Sequence, residues 1–285
     1  MNMALSTRQS RSSPLRPYWR AARLALTVAL AASVALPLAA VGGCSSAAVE
    51  KAARAKKADF HYRLALGYFH NKTIDLAIRD LIEALTLEDD HADSRYLYGF
   101  ILFGRKRYEE AAEHFRRALR SRPNFFAARN HLGVTLLELE RWYDAIQVLD
   151  PLLKEPTYTT PYLVYNNIGW AYLKQGDLRR AEKHLKMTVF LNDKFCQGYR
   201  NLGLLAVQQR DLDAAEEQFG EAVRRCPKVA EFHLQYGEVL STNNKLNEAA
   251  KAFAACHTLA GKSLMGRRCK ARLSDAGGGY GPRSP

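Results

Sequence analysis

Small and large apolar residues recur along this chain in one fixed pattern. A small residue stands at Ala65, Gly99, Gly133, Gly169, Gly203 and Gly237. An alanine stands at Ala77, Ala111, Ala145, Ala181, Ala215 and Ala249. Four positions after each alanine comes a large apolar residue: Leu81, Phe115, Leu149, Leu185, Phe219 and Phe253. All three series advance by 34, 34, 36, 34 and 34 residues. A spacing of four keeps two side chains on one helix face, and a repeat of this length marks a solenoid of stacked supersecondary units. The pattern predicts an all-α fold with six helix-turn-helix units over 58–91, 92–125, 126–159, 162–195, 196–229 and 230–261. Where the two helices of a unit cross, only Gly or Ala lets the backbones approach. The large apolar residues fill the space between neighbouring units.

These columns resemble the tetratricopeptide repeat (TPR), whose unit shows Trp-x2-Leu-Gly-x2-Tyr, then Ala, then Phe, then Pro. Pro123 and Pro227 fall at the terminal proline position, and His61 and His233 occupy the bulky Trp-type column as packing residues. The resemblance covers residues 58–261 and implies an α-α superhelix, a TPR solenoid. The longer step lies in EPTYTTP (155–161), where Pro156 and Pro161 are expected to stop one helix and delay the next. Residues 262–285, with the basic segment SLMGRRCKARL, read as a capping helix followed by a flexible basic tail.

Charge must be placed before it is interpreted. The 285 residues carry a net +13. Residues 1–43 hold five arginines and no acid, and residues 262–285 hold six cations against Asp275, so ten of the thirteen surplus charges lie at the two ends. A nucleic-acid groove would need that charge in the folded body, so nucleic acid is not an expected partner. A hydrophobic content of 47% also excludes wholesale disorder.

The N-terminal arginines lead into an apolar run from Leu24 to Val41 and then Gly42, Gly43 and Cys44. That order is the one of a secretory signal, assigned to residues 1–43. A membrane span is disfavoured because the run is alanine-rich, contains Pro37 and ends at a cysteine. Val41-Gly42-Gly43-Cys44 resembles the lipobox of bacterial lipoproteins, which implies that Cys44 is lipidated and that residues 44–57 are a lipidated tether. Several acyl chains exceed what stable anchoring needs. Ser45 and Ser46, with no Asp after the cysteine, imply sorting to the outer membrane, facing the periplasm. No cofactor beyond the covalent lipid on Cys44 is expected.

Four further cysteines suit an oxidising compartment. Cys196 is position 1 of unit five and Cys226 position 31, so an antiparallel hairpin, with the start of its first helix beside the end of its second, places them within reach as a possible disulfide. Cys256 ends the second helix of the last unit, and a bond to Cys269 would fasten the capping helix to it. There is no CxxC spacing, no Gly-rich phosphate loop, no HExxH and no GxSxG, and the eight histidines are scattered. No metal site, catalytic residue or small-molecule substrate is predicted, and the chain is not read as an enzyme.

In a TPR array the first helix of each unit lines a groove, chiefly through positions 2, 5, 6, 9, 12 and 13. Units one and two place Tyr62, Leu66, Phe69, Tyr96, Phe100 and Phe103 there, and unit three adds Val134 and Leu137. Farther along, the groove turns to amides: Asn130 and Asn166 at position 5, then Asn167, Asn201 and Gln235 at position 6. An amide offers donor and acceptor together, which suits an extended peptide backbone of any sequence. The carboxylate clamp of chaperone-binding TPR proteins needs Lys and Asn where this chain has Tyr62 and Leu66, so chaperone C-termini are disfavoured.

A lipobox followed by six TPR units resembles the PilF/PilW/Tgl lipoproteins, the pilotins that help the type IV pilus secretin reach and assemble in the outer membrane. The resemblance implies a lipid-anchored adaptor whose partners are secretin subunits or peptide segments of them. An alternative is a TPR scaffold lipoprotein of another envelope machine, for β-barrel assembly or polysaccharide export. Groove composition does not separate the two.

Overall fold

The computed structural model describes the backbone of residues 38–277 and the side chains of residues 46–276. Most of the expected signal sequence, the side chain of Cys44 and the end of the basic tail with Arg283 lie outside the described residues. Contacts divide the chain into residues 1–53 and residues 54–285. The described part of the first unit is helical, so the stretch assigned to the tether is helix rather than open chain, with exposed side chains over 46–53. Among the described residues no helix is long and apolar enough to cross a membrane.

The second unit, among the described residues, consists of helices and turns. The first repeat pairs the end of α1 (Leu38–His70) with α2 (Ile74–Leu87), and the second pairs α3 (Ala92–Gly104) with α4 (Tyr108–Ser121). The third pairs α5 (Phe126–Glu138) with α6 (Trp142–Leu149) and a 3-10 turn (Asp150–Lys154). The fourth pairs α7 (Pro161–Gln175) with α8 (Leu178–Leu191), and the fifth α9 (Cys196–Gln209) with α10 (Leu212–Arg225). The sixth pairs α11 (Ala230–Thr242) with α12 (Leu246–Ala260), and α13 (Leu264–Gly277) packs on both.

The column of small residues has a direct steric cause. A Cβ added at Gly133 would lie 2.4 Å from Leu149, at Gly169 2.8 Å from Leu185, at Gly203 2.9 Å from Phe219, and at Gly237 2.6 Å from Phe253. Each large partner comes from the second helix of the same unit and is buried. The gap that glycine leaves is therefore filled by the residue sixteen positions later. In the first unit Ala65 stands opposite Leu81, and both are wholly buried.

A second column is a turn residue with positive φ between the two helices of every unit: Lys72, Lys106, Glu140, Gly176, Arg210 and Asn244. Left-handed backbone costs an L side chain roughly 1–2 kcal/mol, and only the fourth unit uses glycine there. The helix that follows begins at a capping position. Asp177 and Asp211 each accept a backbone N–H three residues on, both at 2.9 Å, while the other units cap without a side-chain bond.

The junction between units three and four differs from the expectation. α6 ends at Leu149, ahead of Pro151, and the chain tightens into a 3-10 turn over Asp150–Lys154. Pro161 does not delay a helix. It is the first residue of α7, where a missing N–H costs nothing.

The two ends of the array are unlike. Phe60 and Leu64 of the first unit are 54% and 37% exposed, whereas their counterparts Val164 and Ile168 are 0% and 1% exposed beneath the preceding unit. At the other end, α13 seals the stack. Cys269 is disulfide-bonded to Cys256, with Cα atoms 5.9 Å apart, and Met265 and Leu273 pack on the cluster of Leu234, Leu240 and Phe253. Cys196 and Cys226 form a second disulfide that ties the start of α9 to the end of α10, with Cα atoms 6.0 Å apart.

Replacing Gly203 by Leu forces a side chain into the Phe219 ring. Overpacking of this kind costs about 1–3 kcal/mol, so the thermal midpoint should fall by roughly 2–10 °C. Gly67, which has no atom within 4 Å of an added Cβ, is the control, and Gly67→Leu should not lower the midpoint, since leucine favours helix over glycine. Equal midpoints for the two variants would refute the crossing assigned here.

Candidate functional site

The first helices of successive units stand side by side, α3 against α5, α5 against α7 and α7 against α9. Their shared surface changes character along its length. Over the first three units it is aromatic. Phe69 meets Phe100 edge to face at 5.8 Å, and Phe103 meets Tyr108 at 5.4 Å. Tyr96 lies within 6.4 Å, ring to ring, of Phe100, Phe115, Phe125 and His131. Tyr62 packs near His91 at 5.6 Å.

Tyr62, Leu66, Phe69, Tyr96, Phe100, Phe103 and Val134 are all half-buried. All but Val134 pack against the buried apolar clusters and show solvent only part of each side chain, so the expected row of open anchors is partly core. Leu137 departs furthest from the expectation. It is 7% exposed and belongs to the central apolar cluster, because position 12 of α5 faces α6 and α7.

Burial also keeps this stretch uncharged. The His131 Nδ1 bonds the Ala127 carbonyl oxygen at 2.9 Å and lies 3.4 Å from the Tyr96 hydroxyl. Desolvation lowers the His131 pKa and raises that of Tyr96, so both rings are neutral near pH 7. Beneath them His114 is pushed down to about 4, first by burial and then by Arg95.

From unit four onward the surface is polar, and its amides bond one another. Asn201 donates Nδ2 to Asn166 Oδ1 at 2.8 Å across α7 and α9, and both are buried. The Oδ1 of Asn201 accepts from Arg200 at 3.2 Å and Gln197 at 3.4 Å. Asn166 in turn donates to Asn167 Oδ1 at 3.4 Å. Arg200 reaches α11, donating to Glu231 at 2.7 Å and to Gln235 Oε1 at 3.3 Å. Asn166 and Asn201 are thus not open to a passing peptide, as the sequence suggested; they set the spacing of α7 and α9. Asn130 stands apart, its Oδ1 buried and without a hydrogen-bond partner.

A cavity of about 450 Å³ opens where α5, α7 and α9 meet. The predicted residues Val134, Leu137, Asn166, Asn167 and Asn201 line it. So do Glu138, Glu140, Trp142, Trp170, Lys174, Gln197 and Arg200. Trp170 lies between two cations, with Lys174 Nζ 4.8 Å and the Arg200 guanidinium 5.5 Å from its ring. The register already held these residues, since Trp170 is position 9, Lys174 position 13 and Arg200 position 5. Residue type alone does not mark them, because they are neither part of the aromatic run of the first units nor of the amide column of the later ones. Among the described residues no group of three or more His, Cys, Asp or Glu could hold a metal ion.

This geometry is that of a TPR solenoid. Residues 163–189 and 200–257 match family models described as tetratricopeptide repeat. Residues 81–152 match one described as anaphase-promoting complex, cyclosome, subunit 3. Among solved structures the chain is similar to PilW, described as a widely conserved type IV pilus biogenesis factor, with a TM-score of 0.66 and 22% identity over 74% of this chain and 97% of that one. It is also similar to PilF of Pseudomonas aeruginosa, with a TM-score of 0.62 and 20% identity over 77% of this chain and 99% of that one. At these identities the likeness is one of fold.

Curated relatives include the type IV pilus assembly protein PilF of Pseudomonas aeruginosa, 24% identical over 161 residues, 56% of this chain and 61% of the relative. Tetratricopeptide repeat protein 6 of Homo sapiens is 25% identical over 161 residues, 56% of this chain and 30% of the relative. The chain spans less than two thirds of each of these relatives.

The Asn166–Asn201 pair yields a direct test. Asn201→Ala leaves the Asn166 carbonyl oxygen buried without its partner and should cost about 1–3 kcal/mol. Replacing both residues by Leu removes the orphan and should recover most of that loss in urea unfolding. A double variant no more stable than the single one would show that the pair does not carry the α7–α9 spacing.

Proposed function

We propose that the protein is an outer-membrane TPR adaptor, lipid-anchored through Cys44 and facing the periplasm, that binds secretin subunits and promotes their assembly for type IV pilus biogenesis and pilus-dependent motility. The observation that carries this reading is the fold likeness to PilW and PilF, which takes in 97% and 99% of those chains. The same six-unit array supplies a surface able to hold a peptide segment. Its apolar end, with half-buried Phe69 and Phe103, offers side chains that a partner can cover completely. The lipobox residues Val41 to Cys44 support the anchor.

Two experiments test the reading. Cys44→Ala should leave a folded protein that no longer fractionates with the outer membrane, because the cysteine lies outside the repeats. Unchanged fractionation would remove the anchor. The second is Phe69→Ala combined with Phe103→Ala, which spares Tyr96 and its ring cluster. Two aromatic anchors at about 2 kcal/mol each amount to a several-hundred-fold loss of affinity. Secretin multimers should then be lost on a gel while the helical circular dichroism is kept. A folded, correctly anchored double variant that assembles multimers normally would refute the adaptor mechanism.

A further inference from the structure

The cavity between α5, α7 and α9 sorts its lining by chemistry. Its apolar part is Val134, Trp142 and Trp170. On the α7 and α9 wall Asn166 Oδ1, Asn167 Oδ1 and Asn201 Oδ1 each take a hydrogen bond from a neighbour. Several donors there are left over. Among the described residues Asn167 Nδ2 has no hydrogen bond, Gln197 uses one of its two amide hydrogens, and Lys174 Nζ lies over the Trp170 ring without a hydrogen bond. Arg200 is matched by Glu231 at 2.7 Å, whereas among the described residues no ion pair joins Lys174. Glu138, at the Lys174 position one unit earlier, lines the cavity from α5. The wall therefore holds an unmatched positive charge and spare donors beside an apolar floor.

We propose that this cavity receives an acidic side chain from an extended internal segment of a partner protein. Lys174, Gln197 and Asn167 hold the carboxylate, and an adjacent apolar side chain seats on Trp170 and Val134. Charge complementarity selects the acid, since a cationic side chain would meet Lys174 and the guanidinium of Arg200 across the same ring. Glu138 and Glu140 on the α5 side disfavour a carboxylate there and so set the direction of the segment. The surface continues past the cavity on both sides, to Tyr96 and His131 and to Glu231 and Gln235, so a chain passes through instead of ending in it. The proposal rests on the groove being a peptide-binding surface and adds the chemistry of what it takes.

A display library of random short segments, fused at both ends so that no terminus is free, is selected on the full chain and on its Lys174→Glu variant. Lys174 is exposed and makes no ion pair, so the variant should keep the parent's thermal midpoint. Segments with Asp or Glu beside Phe, Leu or Trp should be enriched at least about tenfold on the parent, a difference of roughly 1.4 kcal/mol. That enrichment should vanish on Lys174→Glu and persist on Lys174→Arg. No enrichment, enrichment of neutral or basic segments, or the same enrichment on Lys174→Glu would overturn the proposal. Secretin assembly is read separately in cells. Normal assembly by Lys174→Glu, with acidic selection lost, would support the acid-binding cavity while removing secretin as the segment it holds.

Discussion

The arrangement depends on one steric constraint, the close crossing of the two helices within each unit. A glycine or alanine in the first helix faces a large apolar residue sixteen positions later in the second, and the backbone is too near for anything between them. Because the pair is reciprocal, neither member can change alone: a larger residue on the first helix overlaps, and a smaller one on the second leaves a void. Six such crossings in phase set the angle of every hairpin. The next unit then packs on the face that the crossing leaves. Since each unit touches chiefly its neighbours, the array extends one junction at a time.

Which side chains reach the shared surface follows from that crossing. With one helix face committed to the crossing and another to the neighbouring unit, a remaining strip is left to line the groove. In the first units the strip is filled by rings large enough to touch the next helix, so Tyr96 bridges to His131 and Phe69 to Phe100. In the later units it is filled by amides and Arg200, which bridge by hydrogen bonds instead. The two solutions differ in what they leave available. Interlocked rings leave apolar edges without direction. The amide chain ties α7 to α9 and leaves Asn167 Nδ2 and one Gln197 amide hydrogen unused beside the cavity.

The repeat was legible in the sequence because steric exclusion acts at fixed spacing, and three columns in one phase expose it. The turn column of Lys72, Lys106, Glu140, Arg210 and Asn244 was not, since residues so different in side chain share only a backbone conformation. Pro156 and Pro161 flank the extra length between the units, yet the helix already breaks at Pro151, inside unit three. The groove was legible by position and not by state. Register placed Leu137, Asn166 and Asn201 on the right helices, but their burial depends on inter-unit distances that no single repeat encodes. Arg200 shows the same limit: its partners are Glu231, 31 residues ahead, and Trp170, 30 residues back on α7.

Rigidity is distributed unevenly along the array, and the distribution favours its polar half. Both disulfides lie in units five and six and the cap, closing loops of 30 and 13 residues. Loops of that size restrict the unfolded chain by about 3–4 kcal/mol each in the entropic account. The first unit has no such cross-link among the described residues, and its outer face leaves Phe60 and Leu64 exposed. In a nearest-neighbour array, opening therefore begins at the first unit and meets its strongest resistance beyond α9. Hydrogen bonds reward fixed geometry far more than apolar contact does. Gln197 and Arg200 stand on α9, the first helix of the disulfide-closed unit five, whereas the aromatic surface lies in units without such a cross-link among the described residues.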